Sequence, residues 1–344
     1  MQRGALGLAL RIGINGFGAI GKRFFRQVWG RKDLEVVAFN EIGNVAVAAH
    51  LLKHDSNYGT FAEEVATEGQ TLLVAGHAIK VFAERDPGAI PWHSLGVDVV
   101  LESTGLFTDA AKAGAHITSG GAKKVVISAP GTGEDVTIVM GVNEGEYDPA
   151  HHRIISNASC TTNCLAVTAK ALDDAFHINR AMCSTVHSYT SDQRLLDAPH
   201  SDLRRARAAA TNIIPTSSGA SKAVEKALPH LKGHMNAFSL RVPTPVVSVV
   251  DLVADVEREV SVQSANEAFK QAAAAGPLAG YLGISEGPVV SSDFKADPHS
   301  GIVDLPLTQV LDGHMVKVIS WYDNEWGYSA RLVDLFALIA KAGV

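Results

Sequence analysis

The stretch from Gly16 to Gly21, G-F-G-A-I-G, constrains the fold of this chain more than any other. It follows a strand-like run, Arg11 to Asn15, and precedes a segment with helical spacing from about Lys22 to Gly30. In a strand, turn and helix setting, the first glycine permits the tight turn and the second lets a pyrophosphate approach the backbone. The third lets helix and strand pack closely. Glycine-rich turns also occur for purely structural reasons, so the motif needs support from the next strand.

That support comes from Glu41, which ends the strand-like run Leu34 to Phe39 and lies twenty residues after Gly21. A carboxylate at this spacing accepts hydrogen bonds from the adenosine ribose and repels a 2′-phosphate, which favours NAD over NADP. The alternative is an exposed carboxylate at a strand end. The predicted cofactor contacts around the turn are Asn15, Gly16, Phe17, Gly18, Ala19, Ile20 and Glu41.

Three further strands are predicted at 78–82, 97–101 and 124–127, separated by helical or loop segments. This alternation indicates a parallel sheet covered by helices, which binds ligands beyond the carboxyl ends of its strands. Ser103-Thr104-Gly105 and Ser128 follow two of these ends and are either cofactor contacts or polar turn residues. Arg85 either stacks on adenine or is solvated.

A candidate nucleophile, Cys160, lies in the segment S-N-A-S-C-T-T-N-C, residues 156–164. The strand-like run 153–155 precedes it, and residues 165–176 have helical spacing, which predicts that Cys160 begins a helix. The helix dipole and unpaired N–H groups there favour a thiolate, with a pKa of roughly 3.5 to 7.5. His187, twenty-seven residues later, is a candidate base or a structural histidine.

The other two cysteines are predicted to have different roles. Cys164 lies one helical turn beyond Cys160 and is predicted to be buried packing. Cys183 shares a strand face with His187, which adds a second candidate thiol. The four residues lack the paired short spacings of a structural zinc site, and no metal is expected.

From Ala181 onward the pattern changes to long alternating runs at 181–189, 237–241, 246–256 and 315–322. They predict a second domain with a largely antiparallel sheet. Arg241 interrupts one of these runs, and an arginine there usually has an anionic partner. The polar segment 190–219 carries hydroxyls and arginines without aromatic residues, which suits phosphate or carboxylate ligands.

Composition narrows the class of protein. At 344 residues the chain favours two domains. Its net charge of -6 gives no reason to expect a nucleic-acid partner. Three cysteines do not form a disulfide framework, so a reducing, cytoplasmic setting is expected. No run approaches the roughly eighteen apolar residues of a membrane helix, and residues 1–10 read as a short extension without a signal-peptide cleavage site.

Residues 156–165, 185–190, 202–209, 240–252 and 321–328 together resemble phosphorylating glyceraldehyde-3-phosphate dehydrogenases. The resemblance runs from Ile12 to near the C-terminus. It implies a Rossmann-type doubly wound parallel sheet in an NAD-binding domain, residues 1–158, onto which the C-terminal helix, 325–344, packs. It also implies an α+β catalytic domain, residues 159–324, and a homotetramer.

The resemblance further implies that Cys160 is the nucleophile and His187 the base, with Asn324 holding the nicotinamide amide. One phosphate site would use Thr190 and Arg241 with Asp192 nearby. The other would bind inorganic phosphate through a larger set: Ser159, Thr161, Ser218, Gly219 and an arginine of the 204–207 run, of which Arg205 is the expected member. The substrate would be a phosphorylated aldehyde.

Several positions depart from that family's pattern. Ala19 stands where arginine is usual, Glu41 where aspartate is usual, and Ser218 where threonine is usual. Asn40-Glu41 is also similar to the erythrose-4-phosphate dehydrogenases. Three readings therefore stay open: the triose-phosphate enzyme, a relative that uses erythrose 4-phosphate or works with arsenate, and a binding protein that has lost catalysis.

Overall fold

The computed structural model describes residues 9–344. Contacts divide the chain into two compact units. The first extends to Ile138 and includes Glu146–Asn157 and Ser329–Val344; the second comprises Val139–Gly145 and Ala158–Tyr328. The predicted N-terminal extension lies almost entirely outside the described residues. Within residues 9–344, no helix combines the length and apolar character needed to cross a membrane.

The first unit contains, among the described residues, a nine-stranded sheet with the order β10-β11-β9-β8-β1-β2-β7-β6-β5. Its strands, with the separate pair β3 and β4, are β1 (Leu10–Asn15), β2 (Leu34–Asn40), β3 (His54–Asp55), β4 (Gly59–Thr60), β5 (Val65–Glu68), β6 (Thr71–Val74), β7 (His77–Phe82), β8 (Val99–Glu102), β9 (Lys124–Ile127), β10 (Val136–Thr137) and β11 (Ile154–Ser156). Its first four helices are α1 (Ala19–Val28), α2 (Val45–Lys53), α3 (Ala110–Ala113) and α4 (Ala115–Thr118).

Seven of these strands are parallel, and β5 and β6 form an antiparallel hairpin at one edge. The short apolar strands β8 and β9 are buried along their whole length, as strands covered on both faces must be. The chain leaves β1 toward β2 on one side and later returns as β8 on the other. This change of direction creates a crevice at the carboxyl ends of β1 and β8, where doubly wound sheets bind ligands.

The second unit contains an eight-stranded sheet within the described residues, in which β13-β14-β12-β15-β19-β17-β16 are adjacent and β18 pairs with β19. Its strands are β12 (Ile178–Ser188), β13 (Ile214–Ser217), β14 (Met235–Val242), β15 (Ser248–Val256), β16 (Leu282–Ser285), β17 (Gly301–Asp304), β18 (Gln309–Leu311) and β19 (Met315–Tyr322). Its helices are α5 (Cys160–Phe176), α6 (Ala220–Ala227) and α7 (Val262–Ala274).

This sheet is mostly antiparallel, as predicted, with parallel pairing between β12 and β14 and between β16 and β17. The parallel register places His187 directly beside Arg241. Strand β13 was not predicted, because it lies inside the polar segment and has no apolar alternation. Helix α5 is buried for most of its length and packs against this sheet.

The last helix, α8 (Trp326–Ala342), belongs to the first unit from Ser329 onward. The ring of Phe336 lies 4.9 Å from that of Phe24 on α1, centroid to centroid. The short 3₁₀ helices of the described chain are Pro87–Ala89, Trp92–Leu95, Glu144–Glu146, Pro229–Leu231, Ser291–Phe294 and Leu305–Leu307.

Candidate active site

Cys160 is the first residue of α5, as its flanking sequence predicts. Ser159 caps the helix, and its Oγ accepts a hydrogen bond of 3.0 Å from the backbone N–H of Thr162. Ala158, buried immediately before the cap, has a φ of +55°, a left-handed conformation that costs energy for a residue with a Cβ. This sharp turn brings the thiol to the helix N-terminus.

His187 provides a partner for that thiol. Its Nε2 lies 3.4 Å from the Cys160 Sγ, and its Nδ1 lies 2.7 Å from the carbonyl oxygen of Ser188. Two groups compete for Nδ1: the Ser188 carbonyl can only accept, and the Arg241 Nη1, 3.1 Å away, can only donate. The shorter contact, to the carbonyl, places the ring proton on Nδ1, so that the Nε2 lone pair faces the sulfur. The two side chains are therefore within hydrogen-bond reach, as a thiol nucleophile and its base must be.

The protonation of this pair differs from the sequence-based prediction. Burial raises the pKa of the Cys160 thiol, and the charge of Arg241 and hydrogen bonds from Thr161 only partly oppose it. Burial, followed by the charge of Arg241, lowers the pKa of His187 to about 3. The predicted lowered pKa of Cys160 is therefore wrong for the ligand-free protein, because desolvation outweighs the helix terminus. The pair rests as a thiol and a neutral imidazole.

The other two cysteines are not comparable nucleophiles. Cys164 is fully buried, its Sγ lies 3.4 Å from the Ser320 Oγ, and burial raises its pKa to about 12. Cys183 is buried on the same strand as His187, and burial raises its pKa further still. Cys160 alone of the three, all of which are described, keeps partial contact with solvent. Among residues 9–344, no group of potential ligands could hold a metal ion.

Arg241 and Thr190 meet beside the histidine. Arg241 Nη1 donates to the Thr190 Oγ1 at 3.1 Å and to the Ser188 carbonyl at 3.2 Å. Its Nε is buried and has no hydrogen-bond partner in the described part of the chain. A half-buried guanidinium with a free donor, next to a hydroxyl, is suited to an anionic ligand such as phosphate.

Asp192 and Arg205 extend this group. The Thr190 hydroxyl donates to Asp192, and the Arg205 Nη1 forms an ion pair with the Asp192 carboxylate at 2.5 Å. Burial opposes ionisation of Asp192, but the Thr190 hydroxyl and the charge of Arg205 outweigh it and lower its pKa. Arg205 makes a second hydrogen bond, in which its Nε donates to the Thr216 Oγ1 at 2.9 Å.

Arg205 has other partners in the ligand-free protein than those the resemblance implies. The resemblance puts it with Ser159, Thr161, Ser218 and Gly219, whereas its hydrogen bonds join it to Asp192 and Thr216. The reason is charge: the carboxylates of Asp192 and Asp202 lie 2.5 and 3.7 Å from its guanidinium.

The remaining members of the second predicted phosphate set lie at two helix N-termini. Ser159 and Thr161 begin α5, and Ser218 and Gly219 immediately precede α6. The Thr161 hydroxyl shares a 2.8 Å hydrogen bond with the Tyr322 hydroxyl, and the Ser218 Oγ accepts from the Ala220 N–H at 3.2 Å. Helices α5 and α6, which carry the two groups, pack against each other.

Asn324, the predicted nicotinamide contact, is fixed by two serines that sequence reasoning missed. The hydroxyls of Ser188 and Ser248 donate to its Oδ1 at 2.6 and 3.0 Å. The amide nitrogen is thus left as the group that can donate to a ligand. Ser188 follows His187 in sequence, but Ser248 is sixty residues further on, and only the strand pairing brings it here.

In the first unit, the glycine-rich turn leaves room for a dinucleotide. Gly16 has a φ of +92°, and a Cβ there would lie 2.8 Å from the Thr104 backbone nitrogen. A Cβ on Gly21 would lie 2.3 Å from the Gly16 carbonyl oxygen, whereas Gly18 faces open space. These positions match the three roles predicted for the glycines: turn, helix packing and ligand approach.

A cavity of ≈ 310 Å³ opens at this turn. The residues that line it are Asn15, Gly16, Gly18, Asn40, Glu41, Ile42, Glu84, Arg85, Ser103, Thr104, Leu106 and Phe107. Glu41 accepts a 3.0 Å hydrogen bond from the Phe17 N–H, which holds its carboxylate at the end of β2. An open glycine turn, a helix N-terminus and a carboxylate at the next strand end fit NAD.

Not every predicted cofactor residue lines this cavity. Phe17 is buried and stacks on Phe39 with 4.0 Å between ring centroids, so only its backbone faces Glu41. Ala19 and Ile20 begin α1, and Ser128 follows β9; none of the three is among the lining residues. The Asn15 side chain points into a buried polar network instead of toward solvent.

A dinucleotide crevice in one unit and a cysteine–histidine pair beside an arginine in the other are features of a nucleotide-dependent enzyme. Residues 10–110 match the family model "Glyceraldehyde 3-phosphate dehydrogenase, NAD binding domain", and residues 159–324 match the corresponding C-terminal domain. NAD is the cofactor of this domain.

Curated relatives agree with the family models. The chain is 57% identical over 336 residues to glyceraldehyde-3-phosphate dehydrogenase 2 of Streptomyces arenae, an alignment that covers 97% of this chain and all of the relative. It is 56% identical over 337 residues to glyceraldehyde-3-phosphate dehydrogenase 1 of Bacillus subtilis and to the Geobacillus stearothermophilus enzyme. Both alignments cover 98% of this chain and 100% of the relative. The chain belongs to the glyceraldehyde-3-phosphate dehydrogenase family.

Proposed function

We propose that this chain catalyses the reversible, NAD-dependent oxidation and phosphorylation of D-glyceraldehyde 3-phosphate to 1,3-bisphosphoglycerate through a thioester on Cys160. The observation that carries the proposal is the 3.4 Å approach of the Cys160 Sγ to the His187 Nε2, next to an arginine with an unpartnered donor. The names of the relatives support the choice of aldehyde.

In the first step the Cys160 sulfur bonds to the aldehyde carbon, and the thiol proton passes to His187 Nε2 and on to the aldehyde oxygen. The product is a hemithioacetal. His187 then takes the hydroxyl proton as the carbon gives up its hydride, which leaves a thioester on Cys160. Bound NAD supplies the hydride acceptor, and the glycine turn with Glu41 would hold its pyrophosphate and ribose.

In the second step inorganic phosphate attacks the thioester carbon. The Cys160 backbone N–H at the helix start and the protonated His187 stabilise the oxyanion. The carbon–sulfur bond then breaks, the acyl phosphate leaves, and the thiol regains its proton from His187. At rest, burial and the charge of Arg241 keep the proton affinity of His187 low. A phosphate bound to Arg241 would offset that charge and so help His187 to hold a proton transiently.

The substrate phosphate would bind to Thr190 and Arg241, because the Nη1 of Arg241 lies 3.1 Å from the His187 Nδ1 and its Nε has no partner among the described residues. Asp192 and Arg205 would hold Thr190 and Thr216 in place. Inorganic phosphate would bind at the helix starts, through Ser159, Thr161, Ser218 and Gly219.

The deciding assay is the initial rate of NADH formation from glyceraldehyde 3-phosphate, with and without phosphate, and with erythrose 4-phosphate as comparison. The proposal predicts turnover that depends on phosphate and favours the triose. A rate that is the same with and without phosphate, or that is higher with erythrose 4-phosphate, would refute it.

We also propose a cytoplasmic homotetramer, with 1–158 and 325–344 as the NAD-binding part and 159–324 as the catalytic part. The outer face of the second unit's sheet supports association, since Met182 is 71% and Phe238 46% exposed there. Light scattering on the purified protein tests it: four chains per particle are expected, and a monomer would contradict the proposal.

A further inference from the structure

A buried polar network crosses the carboxyl ends of three strands next to the nucleotide cavity. It belongs wholly to the first unit and includes no residue of the cysteine–histidine site. Its side chains are those of Trp92, His116, Glu102, Asn15 and Asn40, and each is at most 4% exposed. Polar side chains are not buried at such density without a role for their geometry.

Glu102, the last residue of β8, is the centre of the network. Its Oε2 accepts from the Asn15 Nδ2 at 2.6 Å and lies 3.0 Å from the His116 Nε2. Its Oε1 accepts from the backbone N–H and the hydroxyl of Thr104, at 2.9 and 2.5 Å. All four partners are donors, so the acceptor sites of the carboxylate are filled.

Trp92 fixes the orientation of the His116 ring through the ring nitrogen that does not face Glu102. The indole N–H of Trp92 donates to the His116 Nδ1 at 3.0 Å. An indole can only donate, so Nδ1 accepts and the ring proton lies on Nε2, directed at Glu102. His116 and Trp92 are both fully buried, and water cannot replace either bond.

Asn15 and Asn40 carry the network to the opposite wall of the cavity. The Asn40 Nδ2 donates to the Asn15 Oδ1 and to the Glu84 carbonyl, both at 2.8 Å. The Glu84 N–H donates back to the Asn40 Oδ1 at 2.8 Å. The segment that carries Arg85 is thereby tied to the ends of β1 and β2.

The network ends at the backbone that approaches the cofactor. Asn15, Asn40, Glu84 and Thr104 all line the cavity. Asn15 precedes Gly16, and a Cβ at Gly16 would lie only 2.8 Å from the Thr104 nitrogen that Glu102 holds. A small shift of either strand end would therefore close or widen the glycine turn.

We propose that Glu102 and His116 are positioning residues for NAD: they fix the ends of β1, β2 and β8 so that the glycine turn, Glu41 and the Arg85 segment are ready for the dinucleotide. The inference rests on the NAD-binding part of the proposed function and not on the identity of the aldehyde. It assigns a task to two residues that contact neither substrate nor cofactor.

A matched pair of variants in the full chain tests this. His116→Leu removes the donor to Glu102 and the acceptor for Trp92, whereas His116→Gln keeps one of each. NAD binding is measured directly by titration calorimetry, with iodoacetamide alkylation of Cys160 in the absence of NAD as a check on the other unit. Expected results are a rise in the NAD Kd of at least about tenfold for the leucine variant, less than about threefold for glutamine, and unchanged alkylation in both.

A leucine variant that melts at a lower temperature but binds NAD like the wild type would overturn the proposal, because the network would then be structural only. If the leucine variant does not fold, Trp92→Phe decides, since it removes the indole donor to His116 at a side chain that does not line the cavity. A rise in Kd of about threefold or more supports the proposal, and an unchanged Kd refutes it. Wild-type protein that binds NAD without oxidising the triose would refute the proposed reaction alone.

Discussion

The resting protonation of Cys160 can be measured through its reaction with iodoacetamide, because only the thiolate reacts. Burial raises the pKa of this thiol above its ordinary value of 9.0. Fewer than about one thiol in a hundred is then ionised at pH 7, and the alkylation rate should rise nearly 100-fold between pH 6.5 and 8.5. A thiol with a pKa of roughly 3.5 to 7.5 would change by at most about tenfold over that range.

The assay uses NAD-free protein, with the modified residue identified by mass spectrometry. Arg241→Met should slow alkylation further at each pH, because the charge of Arg241 lowers the pKa of Cys160. Cys164 and Cys183 serve as internal controls and should stay unmodified, since burial raises the pKa of both. A rate that is flat above pH 6.5 would refute the reasoning that desolvation outweighs the helix terminus.

Four further predictions follow from the same geometry. Cys160→Ser should lower dehydrogenase turnover at least about 1,000-fold, while Cys183→Ser keeps most of it; equal losses would overturn the assignment of the nucleophile. Thr190→Val should raise the KM for glyceraldehyde 3-phosphate about tenfold or more with little change in the KM for NAD, and the reverse pattern would contradict the phosphate role. Wild-type kcat/KM should favour NAD over NADP on the order of 100-fold, because Glu41 repels a 2′-phosphate; a preference for NADP would contradict that. His187 is buried with a lowered pKa, so the unfolded state binds its proton first as the pH falls below 6.5, and stability is lost. Between pH 6.5 and 4.5 the wild type should therefore lose about 2 kcal/mol more unfolding free energy than His187→Asn, as measured by urea titration. An equal loss would show that His187 is not held neutral.

Much of the first unit could be predicted from sequence because its signals are local. The glycine turn and the apolar strands each span a few residues, and Glu41 is only twenty residues from Gly21. Strands β2, β7 and β9 begin and end within a residue or so of their predicted bounds. The start of α5 at Cys160 was predicted from the same kind of local pattern.

What could not be predicted depends on pairing between distant strands. The side chains that fix Asn324 come from Ser188 and Ser248, and β12 and β15 meet only in the folded sheet. The ion pair of Arg205 with Asp192 was not predicted either, because sequence gives no distance between the two side chains. The shift in the pKa of Cys160 was missed for a similar reason, since the depth of burial around a helix start is set by tertiary packing.

The most direct test of the central claim is mass spectrometry of the protein mixed with glyceraldehyde 3-phosphate and NAD in the absence of phosphate. The account predicts one phosphoglyceryl thioester per chain, located on Cys160, which disappears when phosphate is added. An acyl group on Cys164 or Cys183, or no covalent species at all while NADH is formed, would contradict it.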